Sequence, residues 1–315
     1  STAIEGLLIV ELDVHGDSRG WFKENWQREK MVAAGLPDFQ PVQNNVSFNA
    51  EKGVTRGLHA EPWDKLVSVA TGRVFGAWCD LREGSETFGQ LVTQEIGPDT
   101  AVFVPRGVAN GFQALEQCAY SYLVNDHWSP DADYTCVNLD MVDWPLEPTE
   151  ISDKDQGHAA LGDVSPMPPR RILVTGSGGQ LGRALQKFLP SAGLGQVEFC
   201  GHADFDITHP PARPWKQYST IINCAAYNDV NGAEDDRAAA WAINASAPAK
   251  LARIAAENNL TLVHVSSDYI FDGSNDVHTE EELPSPLSAY GASKAAGDTA
   301  AQTAPRHFVI RTSWV

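Results

Sequence analysis

Up to Trp144, apolar residues come in short alternating runs divided by Gly, Pro and Asp, with the clearest at 65–82, 89–97, 100–115 and 120–128. Runs of that length and spacing predict an all-β barrel or sandwich. The stretch 161–170 is rich in Pro and Gly, lacks periodicity, and reads as a linker. From Arg171 onward the character changes. RILVTG, VEFCG, TIINCAA, LTLVHVSS and HFVIRTS read as strands, and QLGRALQKFL and RAAAWAINASAPAKLARIAAENN as helices. Apolar strands alternating with amphipathic helices predict a parallel, doubly wound sheet. The chain is therefore expected to hold a β-barrel domain over 1–160, a linker over 161–170 and an α/β domain over 171–315.

Composition narrows the function classes. With 41 Asp and Glu against 23 Lys and Arg, the net charge of -18 disfavours binding to a phosphate backbone. The five cysteines (Cys79, Cys118, Cys136, Cys200 and Cys224) are scattered, which argues against a zinc ribbon or disulfide framework and fits a reducing cytosol. No run approaches the roughly 18 apolar residues a membrane helix needs. The start, STAIEGLLIVELD, is too short and too acidic for a secretory signal. A cytoplasmic protein without nucleic-acid or membrane partners is expected.

In the second half, Gly176-Ser177-Gly178-Gly179-Gln180-Leu181-Gly182 follows a strand and opens a helix. Such a turn lets bare backbone approach a pyrophosphate, which then sits on the helix N-terminus. Gly176, Gly179, Gln180, Leu181 and Gly182 are the candidate dinucleotide contacts. An NAD-preferring site usually carries an acid about 20 residues onward. Here the second strand ends Cys200-Gly201-His202, so NADP(H) is expected to be tolerated. Asp206 and Ile207 are placed to border the adenine, although Asp206 also reads as a plain loop carboxylate. Tyr290 and Lys294 in YGASK share one helix face, where a neighbouring ammonium would favour the phenolate. Ser267 ends a strand about 20 residues upstream and is placed to polarise a carbonyl.

GSGGQLGRAL, DITHP, INCAAYNDVNGAE, AINASAPAKLA, VHVSSDYIFDG, YGASK and RTSWV together resemble the dTDP-4-dehydrorhamnose reductase family of extended short-chain dehydrogenase/reductases. The resemblance implies a Rossmann-type fold, NADPH or NADH as cofactor, and Ser267, Tyr290 and Lys294 as the catalytic set. It also brings Ala225, Ala226 and Tyr227 of INCAAY to the dinucleotide. That family continues past RTSWV into a lobe that closes over the sugar nucleotide. The reductase half is therefore expected to lack its C-terminal substrate lobe and to reduce substrate weakly.

In the first half, His59 and Lys65 lie close in sequence on neighbouring strand segments. An imidazole suits proton abstraction near neutral pH, and an ammonium can neutralise an enolate. Spacing alone equally allows a structural His and a surface Lys. Barrels of this kind often hold iron or manganese through an H-x-H motif and a later His. Here His59-Ala60-Glu61 and Asn110 stand at those places, so no tight metal site is expected.

DSRGWF, QNN, GVTRGLH, KLV, TFGQ, VPRG and VDWP resemble the dTDP-4-dehydrorhamnose 3,5-epimerase family. The resemblance implies a cupin-like jelly-roll barrel that needs no cofactor and forms a homodimer in which N-terminal strands cross over. It implies His59 as base, Asp155 as its orienting partner, Tyr122 as the acid across the sugar, and Lys65 beside the enolate oxygen. Without it, Tyr122 reads as a core aromatic. Arg19, Glu24, Gln43, Asn45 and Arg56 would hold the dTDP, and His127 stands where the family commonly has a Tyr near the sugar. His127, Asn110 and Ala60-Glu61 depart from the family pattern.

Together the two resemblances imply consecutive steps of dTDP-L-rhamnose synthesis. A dTDP-4-keto-6-deoxy sugar would be epimerised at C3 and C5 and then reduced at C4. Fusion would raise the local concentration of the intermediate. Two alternatives stay open: a 3- or 5-epimerase plus ketoreductase of another dTDP-deoxysugar pathway, and a non-catalytic nucleotide-sugar and dinucleotide sensor.

Overall fold

The structure is a computed structural model that describes residues 2–128, 132–192 and 196–313. The chain divides into two units, Ser1–Pro168 and Pro169–Val315. No helix among the described residues is long and apolar enough to cross a membrane.

The first unit is β-rich. In chain order it contains β1 (Leu8–Glu11), β2 (Val14–Asp17), β3 (Gly20–Lys23), α1 (Arg28–Ala33), β4 (Gln43–Asn49), β5 (Thr55–Ala60) and β6 (Lys65–Thr71). After them come β7 (Val74–Asp80), β8 (Leu91–Ile96), β9 (Thr100–Val104), β10 (Val108–Ala114), β11 (Cys118–Val124), β12 (Thr135–Cys136) and α2 (Asp153–Gln156). Two five-stranded sheets form, in the orders β1-β9-β6-β11-β4 and β12-β5-β10-β7-β8, with antiparallel pairing throughout. Val67, Val69 and Val102 from the first sheet meet Trp78, Phe112 and Ala114 from the second in one buried cluster. The alternation in the sequence thus becomes two inward faces packed on each other.

The stretch 161–170, expected as a linker, is held on this unit as far as Pro168. Met167 is buried, and its backbone N–H and carbonyl bond to Leu81 and Glu83. Arg106 donates to the Pro168 carbonyl at 2.8 Å. A single seated methionine has no periodicity to betray it.

Asp80 anchors the end of β7. It is fully buried and accepts three bonds from Arg82, two from the guanidinium at 2.9 and 2.7 Å and one from the backbone N–H at 3.0 Å, and one each from Ser85 and Thr87. Burial alone would raise its pKa, but these donors outweigh it and hold the carboxyl at about 2. The folded value lies below the unfolded one, so the ionised form stabilises the fold above about pH 4 and that contribution fades as pH falls towards 2. A shift of this size corresponds to about 2 kcal/mol. Urea unfolding of the wild type should show that loss on acidification, whereas Asp80→Asn should be weaker at neutral pH and lose about 2 kcal/mol less over the same window.

The second unit contains β13 (Arg171–Thr175), α3 (Gln180–Phe188), β14 (Val197–Cys200), β15 (Tyr218–Asn223), α4 (Gly232–Asp235), α5 (Arg237–Trp241), α6 (Ala247–Glu257), β16 (Thr261–Ser267), α7 (Ala289–Ala301) and β17 (His307–Thr312). Its five strands lie in the order β14-β13-β15-β16-β17, and every pairing is parallel. Chain order reverses between β13 and β15, and such switch points leave a crevice at the carboxyl ends of the strands.

Candidate active sites

In the first unit, β5 carries His59, with β12 and β10 beside it. Asp155 sits in α2, where Ser152 accepts from its backbone N–H at 3.2 Å. The Asp155 side chain is buried and held at both oxygens. Oδ1 lies 2.8 Å from His59 Nε2, and Oδ2 accepts from the Gly57 N–H at 3.2 Å. Burial pushes its pKa up, but the bond from His59, its charge and the Gly57 N–H bring the net value below the usual carboxylate range. An ionised carboxylate only accepts, so Nε2 must carry the hydrogen, and Nδ1 keeps the free lone pair.

Lys65 enters from β6 on the other sheet and is 4% exposed. Its Nζ lies 2.9 Å from a Glu61 oxygen and 5.8 Å from the Tyr122 ring centroid. The ammonium expected to face an enolate is thus already paired with a carboxylate. Tyr122, on β11, is half-buried. Burial first, and Glu61 second, raise its pKa, with Arg56 opposing. The phenol therefore keeps its proton at neutral pH. Cys136 lies opposite His59 on β12, and burial first of all raises its thiol pKa.

Around that group, Arg56 donates to Asn49 at 2.9 Å, and Gln43 donates to Asn45 at 2.9 Å, with Asn45 opposite Tyr122. The contacts of Arg19, Glu24 and His127 lie elsewhere. Arg19 is exposed on the β2–β3 hairpin and paired with Asp17; Glu24 pairs with Lys30; His127 is exposed and bonds through its backbone to Asp126. Among the described residues, the partners of these three, which are expected at the nucleotide and sugar, are local ones. Sequence reasoning missed Trp63, which donates to Glu61 at 2.5 Å, and His158, whose ring meets that of His59 edge-on at 5.2 Å. Glu61 drew notice only as a departure from a motif.

In the second unit, the glycine turn has a steric cause. Gly176 has φ +67°, and a Cβ there would stand 2.6 Å from the Ala225 nitrogen. A Cβ on Gly182 would stand 2.4 Å from the Gly176 carbonyl oxygen. Only bare backbone lets α3 start this close to the end of β15. A cavity of roughly 550 Å³ opens there. Gly179, Gln180, Leu181, Gly182, Ala226, Ser267, Tyr290 and Lys294 all line it. Gly176, Asp206, Ile207, Ala225 and Tyr227 are not in its lining. Ile207 is 4% exposed and its side chain serves the core. Asp206 turns onto Thr208, whose hydroxyl and N–H hold its carboxyl at about 2. The Tyr227 backbone donates to the Asn244 side-chain oxygen at 2.8 Å and accepts from its side-chain nitrogen at 3.0 Å, which ties down this loop. Arg183, Asn228 and Tyr269 line the cavity and were not anticipated; only the third dimension brings them there.

Tyr290 and Lys294 lie one turn apart on α7, which Ser288 caps by accepting from the Gly291 N–H at 3.0 Å. Lys294 donates to the Val265 carbonyl at 2.7 Å. Burial pushes the Lys294 pKa down to about 8, with Asp298 opposing. Burial also raises that of Tyr290, and a bond with Ser267 pulls the other way. Desolvation dominates at both groups, and the ammonium is bound to a carbonyl.

A family model described as dTDP-4-dehydrorhamnose 3,5-epimerase matches residues 1–163. A second, described as RmlD substrate binding domain, matches residues 170–315. The protein RmlC homolog of Streptococcus pyogenes is 50% identical over 182 residues, covering 54% of this chain and 91% of its own. A Streptococcus suis RmlC structure in complex with dTDP-D-xylose is 51% identical with a TM-score of 0.50, covering 52% of this chain and 91% of that one. The dTDP-4-dehydrorhamnose reductase of Mycobacterium tuberculosis is 41% identical over 155 residues, 46% of this chain. The chain spans 50% of that reductase's length. By its first half the chain belongs to the dTDP-4-dehydrorhamnose 3,5-epimerase family, and by its second it is a fusion of that epimerase with a portion related to dTDP-4-dehydrorhamnose reductase.

Proposed function

We propose that the chain epimerises a dTDP-4-keto-6-deoxy sugar at C3 and C5 and reduces the product at C4. The observation that carries this is the doubly anchored Asp155 behind His59, with a protonated Tyr122 on the opposing sheet. His59 Nδ1 takes the hydrogen beside the ketone as a proton, and the C–H electron pair moves onto the C4 oxygen. The Lys65–Glu61 pair lies beside that enolate. Tyr122 returns a proton to the opposite face, which inverts the carbon, and solvent restores both groups. Gln43, Asn45 and Arg56 are the near contacts for the nucleotide, and no cofactor is required in this half.

The glycine turn and its cavity fit a dinucleotide, because a Cβ at Gly176 or Gly182 would fill the approach. Gly179, Gln180, Leu181 and Gly182 would hold its phosphates. NADPH or NADH supplies the hydride for reduction. Arg183 lines the cavity and Asp206 does not, which favours NADPH. Ser267 orients the C4 oxygen and Tyr290 gives it a proton, while Lys294 is held in place by Val265.

We read the two face-packed sheets as a cupin-like jelly roll. Along the edge strand β4, Gln43, Asn45 and Ser47 are sheltered while Val46 and Phe48 are 65% and 60% exposed. An apolar outer face on an edge strand supports a homodimer formed through this unit. Among the described residues the cysteines are free, in keeping with a cytoplasmic protein. Incubation of dTDP-4-keto-6-deoxyglucose with the protein, with and without NADPH, tests the reading by NMR of the product. The L-rhamno configuration is expected. Inversion at one carbon would instead indicate another deoxysugar pathway.

A further inference from the structure

Beside the catalytic pair, three potential metal ligands converge from separate parts of the first unit. Cys136 on β12 is the direct cross-strand partner of His59 on β5. His158 follows α2 and stands edge-on to the His59 ring, with centroids 5.2 Å apart and planes at 81°. One ring nitrogen from each histidine and the Cys136 sulfur all lie within 4.8 Å of one another. The His158 side chain is only 8% exposed, and its ring nitrogens have no partner within strict hydrogen-bond geometry, the Gly57 backbone being the polar group that acts on the ring. Its nearest carboxylate oxygen, Asp155 Oδ1, is 3.9 Å from Nε2. A buried polar group without a partner is costly and calls for an explanation.

We propose that His59, Cys136 and His158 bind a divalent transition-metal ion of the zinc class, and that binding shuts the epimerase off. Two imidazoles and one thiolate are the donors zinc prefers. With metal–nitrogen bonds near 2.0 Å and a metal–sulfur bond near 2.3 Å, a tetrahedral site has ligand atoms about 3.3–3.7 Å apart. Donor atoms within 4.8 Å of one another would have to draw in by about 1 Å to reach that geometry, a movement that side-chain rotation can supply. As the sulfur–metal bond forms, the thiol proton leaves to solvent. Coordination through His59 Nδ1 would leave Asp155 in place on Nε2. Asp155 then becomes the carboxylate that orients a metal-bound imidazole. The fourth position is left to water on the side where His59 is open to solvent.

The inhibitory part rests on His59 being the base, because the metal would take the same lone pair that collects the substrate proton. Site and consequence are therefore read separately. Cobalt(II) added to the intact chain should give the near-ultraviolet thiolate-to-cobalt band and visible bands of a tetrahedral site, and zinc should displace it. Cys136→Ser should lose the thiolate band, and His158→Gln should weaken cobalt binding by about tenfold or more. Zinc should suppress hydrogen exchange on the sugar, a chelator should restore it, and Cys136→Ser should exchange at the wild-type rate and resist zinc. Absence of the band in the wild type, or its persistence in Cys136→Ser, would overturn the site. A site that fills while exchange continues would leave the metal assignment standing and would sink His59 as the base.

Discussion

Asp155→Asn is expected to slow proton exchange at C3 and C5 by about 10³- to 10⁴-fold, the size of effect seen when a catalytic histidine loses its tautomer-setting carboxylate. The change is nearly isosteric, so the cause is electronic. Asp155 serves two donors, His59 Nε2 at 2.8 Å and the Gly57 N–H at 3.2 Å. The Gly57 donor is fixed backbone and claims the single amide oxygen of an Asn. The amide NH₂ then faces His59 and obliges Nε2 to accept. The ring hydrogen moves to Nδ1, the position that must be bare to take the substrate proton. Nucleotide affinity should stay as in the wild type, since Arg56, Gln43 and Asn45 are untouched. Turnover on supplied ketone together with dTDP binding by calorimetry checks both halves of this expectation. Exchange within about tenfold of the wild type would mean that Asp155 does not set the tautomer.

Tyr290→Phe should lower hydride transfer by about 10²- to 10⁴-fold, the range for losing a positioned proton donor. The new alkoxide at C4 would find no acid, and the Ser267 partner of the phenol would be gone. Dinucleotide binding should survive, because the glycine turn and the Lys294 bond to Val265 do not involve the phenol. Exchange at C3 and C5 should be unchanged and serves as the control within the same chain. Following NADPH oxidation on epimerised ketone, beside a fluorescence titration with NADPH, separates chemistry from binding. Loss of binding in step with loss of rate would give Tyr290 a structural role instead.

Both folds were legible because each has a period. Two-residue alternation marked β6 to β11, and strand–helix alternation marked the parallel sheet. The glycine turn was legible because its residue type answers to geometry: a side chain at Gly176 or Gly182 has nowhere to go. What escaped was anything decided by cross-strand register or by competition among partners. Cys136 and His158 are distant from His59 in sequence and become neighbours only through the β5–β12 pairing and the α2 segment. The role of Glu61 could not be read because nothing in the sequence shows that Lys65 prefers it. Asp206 carried the right charge at nearly the right distance, but nothing in the sequence showed that Thr208, two residues on, would hold its carboxylate. Tyr290 and Lys294 fell on one helix face as their spacing required, but spacing does not report their burial, which works against the charged form of both.

The most direct test of the central claim is deuterium uptake from D₂O into dTDP-4-keto-6-deoxyglucose, read by NMR without NADPH. The wild type should label both C3 and C5, and His59→Gln should label neither while still binding dTDP. Uptake that persists in His59→Gln, or its absence from a wild type that binds the nucleotide, would contradict the account.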